Sequence, residues 1–334
     1  MRAYVIRELG GPDGLGLENR PDPRPGPGQL VVRVRAASLN YRDLMIIKGT
    51  YSRNLPLPLV PLSDGAGEVV EVGPGVTKFR PGDRVAGCFM TAWQDGPPTE
   101  AASKSALGGA VDGMLAELVV LPEGGVVRSP ESLSDEEVAT LPCAAVTAWN
   151  ALFEGGLRAG QTVLVQGTGG VSMFALQLAK AAGARVIATS SSDAKLARAR
   201  EMGASDGINY KTTPDWDVTA RNLTEGLGVD HVVEVGGAGT LPLSVKATRM
   251  GGQIALIGVL AGGTEFDPRQ LMMKGIRLRG IYVGSRAMFE GLNRLIATQR
   301  IKPTIDRVFP FDRAGDAYRY FDAGSHFGKV VIAF

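Results

Sequence analysis

Short apolar runs alternate with amphipathic segments through the middle of the chain. The run at residues 163–165 ends in a glycine cluster, a helical pattern covers residues 173–180, and a second apolar run covers residues 184–189. This succession predicts a buried strand, a tight turn, a helix and a second strand. Further apolar runs, separated by helical segments, lie at residues 230–237, 253–259 and 275–284. The alternation predicts an α/β fold with a mostly parallel, doubly wound sheet.

The N-terminal part of the chain carries a different pattern. Short or alternating apolar runs, at residues 30–35, 67–72, 84–87 and 115–120, are separated by turns rich in proline and glycine. These runs predict a β-rich, barrel-like domain. Residues 94–113 are polar and rich in small side chains, with little periodicity, and predict a long surface loop.

The strand-rich pattern gives way to a helical one at Ser134. Ser134 and Glu137 have the spacing of a capping box, and the helical pattern that follows continues to residue 153. The chain has 334 residues, of which 44% are hydrophobic. It is therefore long enough to bury the cores of two domains.

Charge and hydropathy exclude several function classes. There are 36 basic and 34 acidic residues, a net charge of +2 without a basic run, so neither nucleic acid nor a membrane surface is predicted as a partner. The N-terminus lacks the apolar core of a signal peptide, and no apolar run reaches membrane-spanning length. We expect a cytoplasmic protein that acts on a small-molecule substrate.

The cysteines and histidines are too few for most metal sites. Cys88 and Cys143 are the only cysteines, which excludes a disulfide framework and a four-cysteine zinc lobe. His231 and His326 have no ligand-like neighbours in sequence and are interpreted as structural. Cys143 has two interpretations: a reactive thiol, or a small buried residue with no base or cation beside it.

The glycine cluster has the chemistry of a dinucleotide site. Gly167 and Gly169 let backbone N–H groups approach a pyrophosphate at the start of the following helix, where the helix dipole favours an anion. Ser172 departs from the fingerprint, because a third glycine normally permits close helix–strand packing at this position. The strand on either side of the helix completes the β-α-β unit that the motif requires.

The end of the second strand indicates which dinucleotide binds. An NAD site offers a carboxylate there, whereas this chain has Ser190, Ser191 and Ser192, followed by Lys195. Hydroxyls and an ammonium group suit the 2′-phosphate of NADPH. Asp193 is the competing NAD-type residue, but its position suits the first turn of the next helix.

Six segments spread over the chain carry a family pattern. They are residues 40–43, 64–73, 81–85, 141–149, 167–172 and 328–331. Together they resemble the medium-chain dehydrogenase/reductase superfamily, specifically its zinc-independent, quinone-oxidoreductase-like branch, over essentially the whole chain. The resemblance implies a GroES-like domain at residues 1–143, a Rossmann domain at 144–284 and a return to the first domain at 285–334. It also implies an active site in the cleft between the domains.

The resemblance makes the residues at the metal positions informative. In zinc-dependent relatives two cysteines and a histidine hold the metal beside a glutamate, and the matching positions here are Asn40, Ser63 and Cys143, with Asp64 beside them. An amide, a hydroxyl and one thiol are a poor zinc set, although the Asp64 carboxylate is a further ligand type. We therefore predict no metal. Reduction of a polarised C=C or C=O bond remains feasible, because it needs a positioned acceptor and donors aimed at the developing negative charge.

The resemblance also implies catalytic residues. It assigns hydrogen-bond donation to Asn40 and Tyr51; the alternative for Tyr51 is a turn residue that packs its ring. Asp64 is a candidate for handling a proton in a dry site. Its alternative role is to organise a turn at the start of a strand through its own backbone.

Cofactor contacts are assigned partly by the resemblance and partly because open α/β sheets bind ligands at the carboxyl ends of their strands. The candidates are Thr147, Gly167, Gly169, Gly170, Val171, Ser190, Ser191, Lys195, Tyr210, Gly236, Ile257, Gly258, Val259 and Lys329. Two alternatives stay open for Lys329: it reaches a phosphate, or it lies exposed beside the last strand.

The leading hypothesis is an NADPH-dependent oxidoreductase that transfers hydride to a quinone or an α,β-unsaturated carbonyl without catalytic zinc. The alternatives are a zinc-independent alcohol dehydrogenase or carbonyl reductase, and an NADPH-binding protein without turnover. Residues 278–283 resemble the edge strand through which related dimers join their sheets, and a bare apolar edge invites pairing. We therefore expect a homodimer.

Overall fold

The structure is a computed structural model that describes residues 1–52, 54–258, 260 and 266–334. The chain divides into two units. Unit 1 comprises Met1–Val146 and Gly284–Phe334, and unit 2 comprises Thr147–Val283. Unit 1 is the β-rich domain and unit 2 holds a parallel sheet between helices, so the predicted fold class is confirmed.

The strands are β1 (Arg2–Ile6), β2 (Leu15–Asn19), β3 (Gln29–Ser38), β4 (Asp64–Val72), β5 (Arg84–Gly87), β6 (Leu118–Pro122), β7 (Val126–Arg128), β8 (Thr162–Gln166), β9 (Arg185–Ser190), β10 (Asp206–Asn209), β11 (Val229–Glu234), β12 (Thr248–Leu256), β13 (Arg277–Gly280), β14 (Ile305–Pro310) and β15 (Lys329–Ala333).

The helices are α1 (Tyr41–Ile47), α2 (Glu100–Ser103), α3 (Asp135–Ala139), α4 (Val146–Leu152), α5 (Gly170–Ala181), α6 (Asp193–Glu201), α7 (Trp216–Asn222), α8 (Leu241–Ala247), α9 (Arg269–Lys274), α10 (Arg286–Gln299) and α11 (Ala314–Asp322). One π-helical turn, Leu141–Ala145, precedes α4. No helix in the described part of the chain is long and apolar enough to cross a membrane.

In unit 1 the last strand of the chain joins the sheet of the first half. The strand order is β14-β15-β3-β4-β5-β7, with β6 also paired to β3. Strand β15 runs antiparallel to β3, with Val331 opposite Ser38 and Ala333 opposite Ala36. This register places Lys329, the first residue of β15, beside the chain that leaves β3.

Residues 94–113 are only partly the surface loop that the sequence predicted. The first part is exposed and contains the short helix α2, but residues 106–109 are buried. The Leu107 N–H donates to the Phe89 carbonyl at 2.9 Å, and a Cβ added at Gly108 would lie 2.6 Å from the Leu62 backbone. The small residues of this segment left no clear periodicity in the sequence. Gly108 is needed because the segment packs closely on the backbone at Leu62.

In unit 2 the strand order is β10-β9-β8-β11-β12-β13, and every neighbouring pair is parallel. This confirms the doubly wound sheet. Strand β13 lies at the sheet edge, as predicted, but covers four residues and ends at Gly280. The predicted strand extended to residue 284, and that extension is wrong: residues 281–284 have no strand structure.

Candidate functional site

A buried polar cluster lies where β3, β4 and β15 meet in unit 1. The ammonium group of Lys329 donates to the Leu39 carbonyl at 2.7 Å and to Asn40 Oδ1 at 2.6 Å. It also lies 3.8 Å from Asp64 Oδ2, and Lys329 is only 2% exposed. Of the two alternatives left open for Lys329, the one in which it lies exposed is therefore wrong, because the β15–β3 register turns its side chain inward.

Lys329 fixes the orientation of the Asn40 amide. Since the ammonium group can only donate, the atom that faces it is the amide oxygen. The Asn40 Nδ2 group is therefore not the atom that contacts Lys329; it is buried and makes no hydrogen bond of ordinary geometry among the described residues, although the Asn40 side chain lies near enough to Asp64 to help lower the pKa of that carboxyl. A buried donor without a partner is costly unless a ligand or water completes it. The geometry thus presents an oriented donor.

Asp64 connects three segments of the cluster. Its Oδ1 accepts from Ser63 Oγ at 2.7 Å, and its Oδ2 accepts from the Cys143 N–H at 3.2 Å. The second of these bonds reaches a separate part of the chain, so the Asp64 carboxylate does more than organise the start of β4. Burial raises the pKa of the Asp64 carboxyl above its ordinary value, and the Lys329 charge opposes that shift.

Asp43 belongs to this cluster and was not a sequence-based candidate. Its Oδ2 accepts from the Asn40 N–H at 2.8 Å, and burial raises the pKa of its carboxyl to about 6, against the Arg42 charge. The detectable signal was the spacing of Asn40 and Asp43, which is that of a capping box. Asp43 therefore fixes the backbone at Asn40, as Lys329 fixes its side chain.

Tyr51 lies in the turn that follows α1. Its N–H donates to the Met45 carbonyl at 3.1 Å, and its ring packs on the core of unit 1. The Arg42 guanidinium carbon lies 5.3 Å from the ring centroid. The ring-packing role is thus present, while the donor role of Tyr51 stays a prediction.

The possible ligand atoms of this cluster do not suit a zinc ion. Asn40 Oδ1 is bound by Lys329, and Ser63 Oγ donates to Asp64. Burial and the Asp64 charge raise the pKa of the Cys143 thiol, so its metal-binding thiolate is disfavoured. A resident ammonium group beside the carboxylate also repels a divalent cation. Within the described ranges, no group of three or more His, Cys, Asp or Glu residues could hold a metal.

The glycine turn of unit 2 fits a dinucleotide. Gly167 has a φ of +69°, and α5 begins at Gly170 after Gly169, with Val171 in its first turn. A Cβ added at Gly167 or Gly169 would meet nothing within 4 Å. The space beside these glycines is therefore open, and the helix that begins directly after them has the unpaired N–H groups at its N-terminus that a pyrophosphate requires.

Ser172 replaces the expected third glycine without loss of packing. It is 1% exposed, and its hydroxyl donates to the Gln166 carbonyl at 2.6 Å. The hydrogen bond ties the first turn of α5 to the end of β8. The departure from the fingerprint therefore strengthens the attachment of the helix to the strand.

The residues predicted around a 2′-phosphate lie together at the end of β9. Ser190 ends the strand, its hydroxyl accepts from the Ser192 N–H at 3.3 Å, and its carbonyl accepts from the Tyr210 N–H at 3.1 Å. Asp193 lies in the first turn of α6, as predicted, and accepts from Asn209 at 2.9 Å. Lys195 lies on the same helix, and Ser191 precedes its cap.

The loops after β11 and β12 approach each other closely. The N–H groups of Ile257 and Gly258 donate to the Glu234 carbonyl at 2.8 and 3.1 Å. A Cβ at Gly258 would lie 1.6 Å from the Val235 carbonyl oxygen, so only glycine fits there. Val259, the next candidate, lies outside the described residues.

The buried carboxylate of Glu234 was missed by the sequence analysis. It is 0% exposed and accepts from Gln166, Ser244 and Thr240 as well as from backbone N–H groups. An acidic residue at the end of an apolar run is its only sequence signal. Thr147, another of the cofactor candidates, is buried on α4.

Two family models match the chain. The alcohol dehydrogenase GroES-like domain matches residues 26–131, and the zinc-binding dehydrogenase domain matches residues 170–298. Among curated relatives, a zinc-type alcohol dehydrogenase-like protein of Schizosaccharomyces pombe is 48% identical over 99% of both chains. Acryloyl-coenzyme A reductase of Metallosphaera sedula is 30% identical over 99% of both chains. Quinone oxidoreductase of Rattus norvegicus is also 30% identical, over 99% of this chain and 97% of its own.

Solved structures agree over the whole chain. A putative alcohol dehydrogenase from Sinorhizobium meliloti has a TM-score of 0.93 and 45% identity, covering 100% of this chain and 98% of its own. An NAD-dependent alcohol dehydrogenase has a TM-score of 0.91 and 38% identity, covering 100% of both chains. A mycobacterial protein complexed with NADPH has a TM-score of 0.84 and 27% identity, covering 100% of both.

Proposed function

The chain belongs to the medium-chain dehydrogenase/reductase superfamily, and we propose that it is an NADPH-dependent oxidoreductase that reduces a quinone or an α,β-unsaturated carbonyl without catalytic zinc. The observation that carries this proposal is the 2.6 Å contact between Lys329 Nζ and Asn40 Oδ1. It turns a metal-ligand position of zinc-dependent relatives into an oriented amide donor. Relatives named acryloyl-coenzyme A reductase and quinone oxidoreductase support the substrate class.

When bound, NADPH supplies the hydride. The glycine turn binds its pyrophosphate through backbone N–H groups at the start of α5. Ser190, Ser191 and Lys195 bind the 2′-phosphate at the end of β9. Asp193, the competing NAD-type residue, supports this choice over NAD. It lies in the first turn of α6, and its carboxylate already accepts a hydrogen bond from Asn209.

The remaining cofactor contacts follow the same assignment. Thr147 supports the nicotinamide side, and Tyr210, which is 42% exposed, lies beside the adenosine end. Gly236, Ile257 and Gly258 follow strands at the carboxyl edge of the sheet, where this fold class binds ligands, and Val259 keeps the assignment made from the sequence. Lys329 is reassigned from the cofactor to the substrate site, since its three contacts lie on Leu39, Asn40 and Asp64.

Asn40 acts on the substrate oxygen. Its Nδ2 donates a hydrogen bond to the carbonyl oxygen, where negative charge develops as the carbon framework is reduced. Lys329 holds the amide in the donating orientation, and Asp64 holds Lys329 through its charge. Removing one preorganised donor of this kind lowers kcat by about 10²–10³. Tyr51 is the second proposed donor, with its ring held by Arg42.

A zinc-independent alcohol dehydrogenase or carbonyl reductase is the second candidate, favoured by three of the relatives above, which are named as alcohol dehydrogenases or alcohol dehydrogenase-like proteins. We also propose a homodimer joined at β13, the edge strand of unit 2, beside which Tyr282 is 42% exposed. The mass of the purified protein in solution tests whether this homodimer forms.

A substrate panel tests the proposed function. Purified protein is assayed with NADPH and with NADH against benzoquinones, conjugated enones, saturated ketones and primary alcohols, and its metal content is measured. We expect turnover of quinones or enones with NADPH and no stoichiometric zinc. Turnover restricted to ketones and alcohols establishes the second candidate, and stoichiometric zinc needed for activity contradicts the proposal.

A further inference from the structure

We propose that Glu234 is a positioning residue for the cofactor, whose buried carboxylate holds the glycine turn and the loop after β11 in the shape that binds the dinucleotide. This inference rests on the proposed function and concerns unit 2 alone. Glu234 ends β11, and Gln166 ends the neighbouring strand β8. Both therefore lie at the carboxyl edge of the sheet, where this fold class binds ligands.

The Glu234 carboxylate accepts five hydrogen bonds. Its Oε1 accepts from the Gly236 N–H at 2.8 Å, the Gly237 N–H at 2.9 Å and the Thr240 hydroxyl at 2.5 Å. Its Oε2 accepts from Gln166 Nε2 at 2.7 Å and from the Ser244 hydroxyl. Such charge-assisted bonds are stronger than neutral ones, so the loop that joins β11 to α8 is held firmly.

Gln166 carries the connection to the glycine turn. Its Oε1 accepts from the N–H groups of Val235 and Gly236 at 3.3 and 3.2 Å. Its backbone carbonyl accepts from the Ser172 hydroxyl in the first turn of α5. A continuous set of hydrogen bonds therefore runs from the start of the phosphate-binding helix, through Gln166 and Glu234, to the loop after β11.

The network requires both terminal atoms of the side chain at residue 234 to be hydrogen-bond acceptors. A carboxylate offers only acceptors, whereas an amide presents one NH₂ group. In Glu234→Gln that group faces either the two glycine N–H groups or Gln166 Nε2, and both arrangements oppose donor to donor. The substitution conserves shape and volume, so it perturbs the loops without opening a cavity.

Strand β11 offers a matched control at its other end. Asp230 accepts from the Thr162 N–H at 2.8 Å, from Arg249 Nε at 2.6 Å and from Gln161 Nε2 at 3.4 Å. It therefore also ties β11 to β8 with a carboxylate, but near the amino edge of the sheet. Asp230→Asn thus disturbs a comparable network away from the expected ligand edge.

The experiment measures NADPH dissociation constants by titration of intrinsic fluorescence, together with Tm and saturated kcat, for E234Q and D230N. We expect E234Q to weaken NADPH binding at least tenfold, with kcat at saturating cofactor within about twofold. We expect D230N to leave the dissociation constant within about twofold, whatever its effect on Tm. Equal weakening in both variants, or a lower Tm in E234Q without weaker binding, overturns the proposal.

A double substitution separates positioning from a general loss of packing. In Q166E/E234Q the two side chains exchange roles. The carboxylate at residue 166 accepts from the loop N–H groups and from the new amide NH₂ group at residue 234, and the amide oxygen at residue 234 accepts from the N–H groups of Gly236 and Gly237. We expect the double variant to recover most of the binding lost in E234Q. Failure to recover any of it contradicts the hydrogen-bond argument.

The proposed cofactor preference can fail separately. If the wild type binds NADH in place of NADPH, the same variants titrated with NADH test Glu234, and only the cofactor assignment is lost. If the wild type binds neither nucleotide, both proposals are overturned.

Discussion

The ammonium group of Lys329 lies 2.6 Å from the amide oxygen of Asn40, although the two residues are 289 positions apart in the sequence. The contact has two consequences. It decides that the oxygen of the Asn40 amide, and not its nitrogen, faces the ammonium group, and it buries a cation whose partner carboxylate is Asp64. Both consequences can be tested by substitution.

Replacing Lys329 with methionine should lower both activity and stability. The change leaves Asn40 free to rotate and leaves Asp64 without its cation, and breaking a buried pair costs about 3–5 kcal/mol. We expect kcat to fall at least tenfold. We expect the free energy of unfolding, measured in urea, to fall by about 3–5 kcal/mol. K329M/D64N, which removes both charges, should recover stability but not kcat. Recovery of kcat in the double variant would show that Lys329 does not orient the amide.

Replacing Asn40 with aspartate should remove the donor while keeping the contact with Lys329. We expect kcat to fall by about 10²–10³, since one preorganised donor to the substrate oxygen is lost. The NADPH dissociation constant should stay within about twofold. Tyr41→Phe, at a neighbouring side chain that is 47% exposed, is the control and should keep full activity. An N40D variant with normal kcat contradicts the catalytic role of Asn40.

Asp43→Asn should change how stability depends on pH. The native pKa of about 6 lies above the ordinary value of 3.8, so the native state holds this proton more tightly than the unfolded chain. Stability from this group is therefore present at low pH and is lost as pH rises from about 4 to about 6. The wild type should lose on the order of 2 kcal/mol relative to D43N between these pH values, measured by urea unfolding. Parallel stability curves would contradict burial of a protonated Asp43.

Lys195→Ala should discriminate between the two nicotinamide cofactors. Loss of the ammonium group should weaken NADPH binding by at least tenfold and leave NADH within about twofold, because only NADPH carries the 2′-phosphate. Lys180→Ala, at the last turn of α5, is the control and should affect neither cofactor. Equal weakening of both cofactors by K195A removes the assignment of Lys195 to the phosphate.

Chelation should leave activity unchanged. Because the Asn40, Ser63 and Cys143 positions do not present a zinc ligand set, dialysis against EDTA should retain the wild-type rate, and added zinc should not raise it. Metal analysis by mass spectrometry checks the stoichiometry. Loss of activity on chelation, with recovery on adding zinc, would contradict the proposal that the reaction needs no catalytic metal.

The sequence alone determined the features that local chain geometry controls. The alternation of apolar runs with helical segments predicted the parallel strands of unit 2, and the glycine cluster predicted the turn before α5. The spacing of Ser134 and Glu137 predicted a capping box, which both side chains form. Each depends on residues within one turn or one strand, so the pattern of a few neighbours was sufficient.

Only the tertiary structure decided how distant polar residues combine. Lys329 reaches Asn40 through the register of β15 on β3, and Glu234 meets Gln166 because β11 lies beside β8. A shift of one residue in either pairing would turn these side chains to the opposite face of the sheet. Strand order and register arise from the packing of the whole core, and for that reason the composition of neither buried network was visible in the chain's local pattern.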